Sequence, residues 1–125
     1  MTKTDLVVLT VDDDMINLKL LKSMLKKSGH VKEVIEAKNG SDAIGELKAR
    51  NDIDLILLDI IMPIMGGIEM LKVVRADDNL RQLPIIVLTT DETKKSEALE
   101  FGANGFLMKP IRNEELLSKM ATVIV

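Results

Sequence analysis

Cysteine is absent from this chain, which excludes disulfides and thiolate metal sites. That absence fits a reducing compartment, and a cytoplasmic protein is the expectation. Tryptophan and tyrosine are absent too, so tryptophan quenching cannot report on binding. The one histidine, His30, follows an expected helix and reads as a solvated surface residue. No apolar run approaches the ~20 residues of a membrane span. The first residues, Met1-Thr2-Lys3-Thr4-Asp5, lack the apolar stretch of a signal peptide. Strong charge of one sign is also missing. The net charge of −3 argues against non-specific nucleic-acid or anionic-membrane binding, while leaving room for a local basic patch.

What is present is ordinary globular material. Hydrophobic residues make up 46% and charged residues 30%, and 125 residues suffice for one domain with a real core. One domain over residues 1–125 is expected, with no linker, repeat or low-complexity tract. The chain is either a complete small protein or a domain cut from a longer one. The eight methionines read mostly as core filler.

Short apolar runs alternate with longer amphipathic stretches, which predicts five β-α units. Strands are expected at 6–11, 31–36, 55–58, 85–88 and 106–108. Helices are expected at about 15–28, 41–50, 68–76, 92–101 and from 113 onward. In the first helix Leu18, Leu21, Met24 and Leu25 recur at the helical period, behind Asp14 as N-cap and before Gly29 as stop. The alternating second strand belongs at or near an edge. Runs such as Leu55-Ile56-Leu57-Leu58 are apolar throughout, the mark of a parallel strand covered on both faces. Strict β-α alternation then gives right-handed crossovers and a doubly wound α/β sheet.

The strands end in chemistry. Residues 6–11 run into Asp12-Asp13-Asp14, 55–58 into Asp59, 85–88 into Thr89-Thr90, and 106–108 into Lys109-Pro110. Ligands of such sheets bind outside the carboxyl ends of the strands. Each piece alone has a bland reading: a solvated turn, a cap, a loop. Four polar strand ends at one edge reverse that reading. Two carboxylates ~4 Å apart repel by about 4 kcal/mol at an effective dielectric of 20, so Asp12, Asp13 and Asp59 together call for a cation. Hard oxygen ligands with no His or Cys nearby favour Mg²⁺ over zinc. Lys109 can then pair with a phosphoryl oxygen and Thr89 can hydrogen-bond another. Carboxylate nucleophile, metal, lysine and hydroxyl form a kit for making an aspartyl phosphate.

In order and spacing, Val11-Asp12-Asp13-Asp14, the phrase LILLDIIMP around Asp59, Pro84 through Thr89, and GFLMKP make the chain resemble the receiver domain of two-component response regulators over nearly its whole length. The resemblance implies a flavodoxin-like sheet in the order 2-1-3-4-5. It implies Asp59 as phosphoacceptor, with a sensor histidine kinase or phosphotransfer protein as donor. It implies Mg²⁺ on Asp13, Asp59 and the backbone carbonyl of Ile61, with Asp12 acting largely through water. Thr89 and Lys109 hold the phosphoryl group, and the bond before Pro110 is cis. Thr89 and Phe106 form the switch, although a plain core role is the alternative for Phe106. The output surface is the fourth helix, fifth strand and fifth helix, acting on a downstream protein target. A monomer or weak dimer with no direct nucleic-acid binding is implied. Such a protein works on itself, promoting its own phosphorylation and dephosphorylation, and is not a turnover enzyme.

Departures exist. Gly66-Gly67 stands where many relatives carry Asp-Gly, and Thr90 stands where a small Ala is common. Ile61 and Asp91 occupy positions that tune phosphate lifetime in the family. Competing readings are weaker. A haloacid-dehalogenase-type phosphatase needs a second Asp where Ile61 stands. A flavin or nucleotide carrier needs a Gly- or Ser/Thr-rich loop after the first strand, where three aspartates stand instead. A phosphorylation-independent interaction module, or a receiver fragment of a longer regulator, remains the alternative. Lys94 and Lys95 read as a solvated face or part of a partner surface.

Overall fold

The computed structural model describes residues 4–124. Five strands, β1 (Leu6–Val11), β2 (Val31–Ala37), β3 (Leu55–Asp59), β4 (Ile85–Thr89) and β5 (Gly105–Met108), pair in parallel in the order β2-β1-β3-β4-β5. This is the order that the resemblance implied. Helices α1 (Met15–Lys27), α2 (Gly40–Ala49), α3 (Gly67–Ala76), α4 (Lys95–Glu100) and α5 (Asn113–Val123) lie in the crossovers and at the end.

The central strands are apolar on both faces because both faces are covered. Every residue of β1, β3 and β4 is buried. Side chains alternate between faces along a strand. Val7, Leu9, Ile56, Leu58, Ile85 and Val87 therefore meet Ala43, Leu47, Met70, Leu71 and Val74 of α2 and α3. Leu6, Val8, Leu55, Leu57, Ile86 and Leu88 meet Leu21 and Leu25 of α1 and Leu116 and Met120 of α5. β2 alternates burial as an edge strand does.

Local chemistry sets the helix ends. Asp14 caps α1 by accepting from the Ile16 N–H at 2.8 Å, and Gly29 turns the chain out at a φ of 80°. Asn39 caps α2: its side chain accepts from the Asp42 N–H at 2.8 Å. The helix expected over 92–101 divides into a 3₁₀ turn, Glu92–Lys94, and the six-residue α4. Asp91 caps this turn, its carboxylate accepting from the Thr93 N–H at 3.0 Å.

Leu57 is fully buried in the middle of the sheet. Leu57→Ala should lower unfolding stability by roughly 2–5 kcal/mol in urea titration. A loss under about 0.5 kcal/mol, the range of surface substitutions, would contradict this packing.

Candidate functional site

The carboxyl ends of β1, β3, β4 and β5 meet at one edge. Asp12 follows β1, Asp59 ends β3, Thr89 ends β4 and Lys109 follows β5. Register holds them there: Asp59 pairs with Leu88, and Thr89 with Met108. The Lys109 N–H donates to the Thr89 carbonyl at 2.8 Å, extending that pairing by one residue.

Charge organises the centre. The Lys109 Nζ donates to Asp12 Oδ2 at 2.8 Å and lies 3.3 Å from Asp59 Oδ1. Asp12 is buried and its other oxygen accepts from the Asp14 N–H at 2.9 Å. Asp59 is 7% exposed, whereas Asp13 opens to solvent. Burial pushes the Asp59 carboxyl above its ordinary range; Lys109 pulls it down, and Asp12 and Asp13 push it up again. Burial works to lower the Lys109 ammonium, but Asp12 and Asp59 outweigh it and the net direction is up. Two carboxylates, Asp12 and Asp59, thus share one ammonium.

Asp12, Asp13 and Asp59 each offer an oxygen, and these oxygens lie within 4.8 Å of one another. A donor set of three carboxylate oxygens, one of them open to solvent, fits a hard divalent cation that keeps part of its water shell. Ile61, whose carbonyl the resemblance assigned to the metal, lies in the loop just beyond Asp59 with its side chain 61% exposed. The loop is strained at Ile64, a β-branched residue at a φ of 69°. The Lys109–Pro110 peptide is cis.

Thr89 is buried, and its Oγ1 accepts from the Asp91 N–H at 3.1 Å. Phe106 pairs with Val87, two residues before Thr89 on β4, so Phe106 and Thr89 share one face of the sheet. Phe106 is only partly buried and packs against the core of that face.

Two glycines hold the β3–α3 loop in ways their neighbours in sequence do not announce. A Cβ on Gly67 would overlap the Asp59 carbonyl oxygen and lie 2.7 Å from the Ile60 Cα. The Gly67 N–H donates to the Ile60 carbonyl at 2.8 Å, closing the loop on itself. The Gly40 N–H donates to the Met65 carbonyl at 2.9 Å, and a Cβ there would meet Met65 Cγ at 2.7 Å. Packing, and nothing in the residues beside them, shows that Gly67 and Gly40 brace the Asp59 loop.

The response regulator receiver domain profile matches residues 8–121. The chain belongs to the response regulator receiver family. Chemotaxis protein CheY1 of Helicobacter pylori strain J99 is 34% identical over 119 residues, covering 94% of this chain and 95% of that one. A segment of hybrid signal transduction histidine kinase M of Dictyostelium discoideum is 37% identical over 123 residues; the match covers 94% of this chain and 5% of the kinase. Chemotaxis response regulator CheY4 of Vibrio cholerae superposes with a TM-score of 0.87 at 34% identity, covering 97% of this chain and 100% of that one. Receivers serve phosphorylation-controlled signalling and generally carry an acidic pocket, and the edge described here carries a cluster of three aspartates. Among the described residues no helix is long and apolar enough to cross a membrane.

The raised carboxyl of Asp59 has a thermodynamic consequence. A folded-state value above the unfolded one means a contribution to stability that is present in acid and lost as pH rises through the folded value. Without a divalent cation, Asp59→Asn should therefore raise Tm at pH 7, and the gain should shrink toward pH 3. Calorimetry at both pH values checks this; a variant less stable than the parent at pH 7 would overturn it.

Proposed function

We propose that residues 1–125 act as one cytoplasmic receiver domain that takes a phosphoryl group on Asp59 from a sensor histidine kinase or phosphotransfer protein. The observation that carries this reading is the buried Asp59 carboxylate, flanked by Asp12 and Asp13 and touched by Lys109. An Asp59 oxygen attacks the phosphorus, the P–N bond to the donor imidazole breaks, and its electron pair stays on that nitrogen. The product is an acyl phosphate on Asp59. Burial makes the Asp59 carboxylate more basic, which suits a nucleophile.

Asp12, Asp13, Asp59 and the Ile61 carbonyl are the residues that would hold Mg²⁺. When bound, the ion neutralises charge among the carboxylates and on the phosphoryl oxygens. Lys109, already beside Asp59, turns its ammonium toward a phosphoryl oxygen. Thr89 supplies its hydroxyl as a donor to another, which alters its present contact with the Asp91 N–H. Phe106, on the same face, takes up the space that Thr89 leaves. The outcome is a population shift on the surface of α4, β5 and α5, biased by contacts that only the phosphorylated form makes. That surface then controls a downstream protein target. The chain promotes its own phosphorylation and dephosphorylation and turns over no external product. It works as a monomer or weak dimer, without direct contact to nucleic acid.

Incubation with acetyl phosphate and Mg²⁺ should add one phosphoryl mass that is labile to base, absent from Asp59→Asn and abolished by a chelator. An unmodified mass with both acetyl phosphate and a kinase donor would refute the reading. Phe101 and Phe106 are the only phenylalanines, and Trp and Tyr are absent, so ring signals resolve readily. A beryllofluoride adduct should change the Phe106 ring rotamer in NMR; an unchanged ring would leave Phe106 as core alone.

A further inference from the structure

The two ends of α4 are anchored very differently. At its amino end stands the 3₁₀ turn Glu92–Lys94, which has no buried residue. That turn is tied to the sheet edge through the Asp91 N–H and the Thr89 hydroxyl, 3.1 Å apart. Asp91 also caps Thr93, but both groups belong to the turn itself.

The carboxyl end is held from three sides. Arg75, in the last turn of α3, donates Nε and Nη2 to the Gly102 carbonyl at 3.0 and 2.8 Å. Its Nη2 also reaches Asn104 Oδ1 at 2.8 Å, and its Nη1 reaches the carbonyls of Arg81 and Leu83 at 3.0 and 2.8 Å. A guanidinium has five N–H donors, so these five bonds use its whole capacity. All the acceptors are neutral oxygens, and among the described residues no carboxylate pairs with Arg75. Burial pulls the guanidinium below its ordinary value, with no carboxylate offsetting it.

Gly102 fits this grip alone. It sits at a φ of 104°, and a Cβ on it would stand 2.9 Å from Arg75 Nε and Cγ. Asn104 Oδ1 accepts from the Ile85 N–H at 2.9 Å, and the Asn104 N–H donates to the Ile85 carbonyl at 2.8 Å. The same residue is therefore bound to the start of β4 and to Arg75. Ala98 is fully buried, the Ala103 N–H donates to its carbonyl at 2.9 Å, and Lys72 Nζ lies 4.3 Å from the centre of the Phe101 ring.

We propose that Arg75 makes the carboxyl end of α4 a fixed pivot, so that a change at Thr89 displaces only the amino end of the helix. The proposal rests on the phosphoryl reading for what drives the motion, and on the Arg75 contacts for where the motion stops. A guanidinium suits this task better than an ammonium because its planar fork holds several carbonyls at fixed angles. Residues 89–96 become the moving part and residues 102–104 the hinge that turns without shifting.

Native-state hydrogen exchange of the full chain, without phosphodonor, tests the pin by itself. Amides of residues 102–104 should exchange about tenfold more slowly than those of 92–96, reflecting their different local opening. Arg75→Lys should remove that difference while leaving the β3 amides protected. A second arm adds beryllofluoride and Mg²⁺. In the parent protein, amide shifts should change at 89–96 and stay put at 102–104; in Arg75→Lys the changes should spread into 102–104. Equal exchange at the two ends, or parent shifts at 102–104 as large as those at 92–96, would overturn the pivot. Unchanged exchange at 102–104 in a folded Arg75→Lys would overturn the part assigned to Arg75. Should that variant not fold, the parent measurements decide alone. Failure of any adduct to form on Asp59 would refute the phosphoryl reading, and the exchange arm would still judge the pin.

Discussion

One half-buried ammonium between two buried carboxylates is the contact on which this edge of the molecule depends. Lys109 leaves the end of β5, passes the end of β4, and reaches Asp59 on β3 and Asp12 beyond β1. Taking such charges out of water costs several kcal/mol per ion unless the geometry compensates. The compensation comes from register. Four strands end at a common level, so the charged residues that follow them converge without any strand leaving the sheet. The apolar length of each strand and the position of its terminal polar residue are thus one requirement.

Much of this was legible in the residues. Leu55-Ile56-Leu57-Leu58 and Ile85-Ile86-Val87-Leu88 are too uniformly apolar for a half-exposed strand, and both prove buried throughout. Alternation at Val31, Glu33 and Ile35 pointed to an edge, where β2 lies. Asp12, Asp13 and Asp59 could be gathered because each closes or follows such a run. What could not be read was pairing at a distance. Nothing local to Lys109 says that Asp12 is its nearest partner, and nothing local to Asp12-Asp13 says that one is buried and the other exposed. The division of residues 92–101 escaped because the helical pattern of that segment is weak. Arg75 escaped for a similar reason: an arginine near the end of an amphipathic helix reads as a solvated charge, and only folding delivers four neutral oxygens to its five donors.

The site is also graded in exposure. Asp59 and Asp12 lie inside, Asp13 opens to water, and Ile61 and Ile64 stand out on the loop. A cation can enter from the Asp13 side and find the interior carboxylates already fixed by Lys109 and the Asp14 amide. Thr89 occupies the inner wall, where any change in its hydroxyl partner is felt by the backbone of Asp91. In the proposed reading Thr89 would join input to transmission, and the 3₁₀ turn that precedes α4 begins three residues later.

Gly67 carries a constraint that reaches down to the gene. Its α-hydrogen faces the Asp59 carbonyl so closely that no Cβ fits between them. Every amino-acid replacement available from a glycine codon by a single base change adds that carbon. Even the smallest such change, to alanine, would push on the backbone of Asp59. A position eight residues downstream of Asp59, with no functional group of its own, is in this sense as unforgiving as the carboxylate it supports.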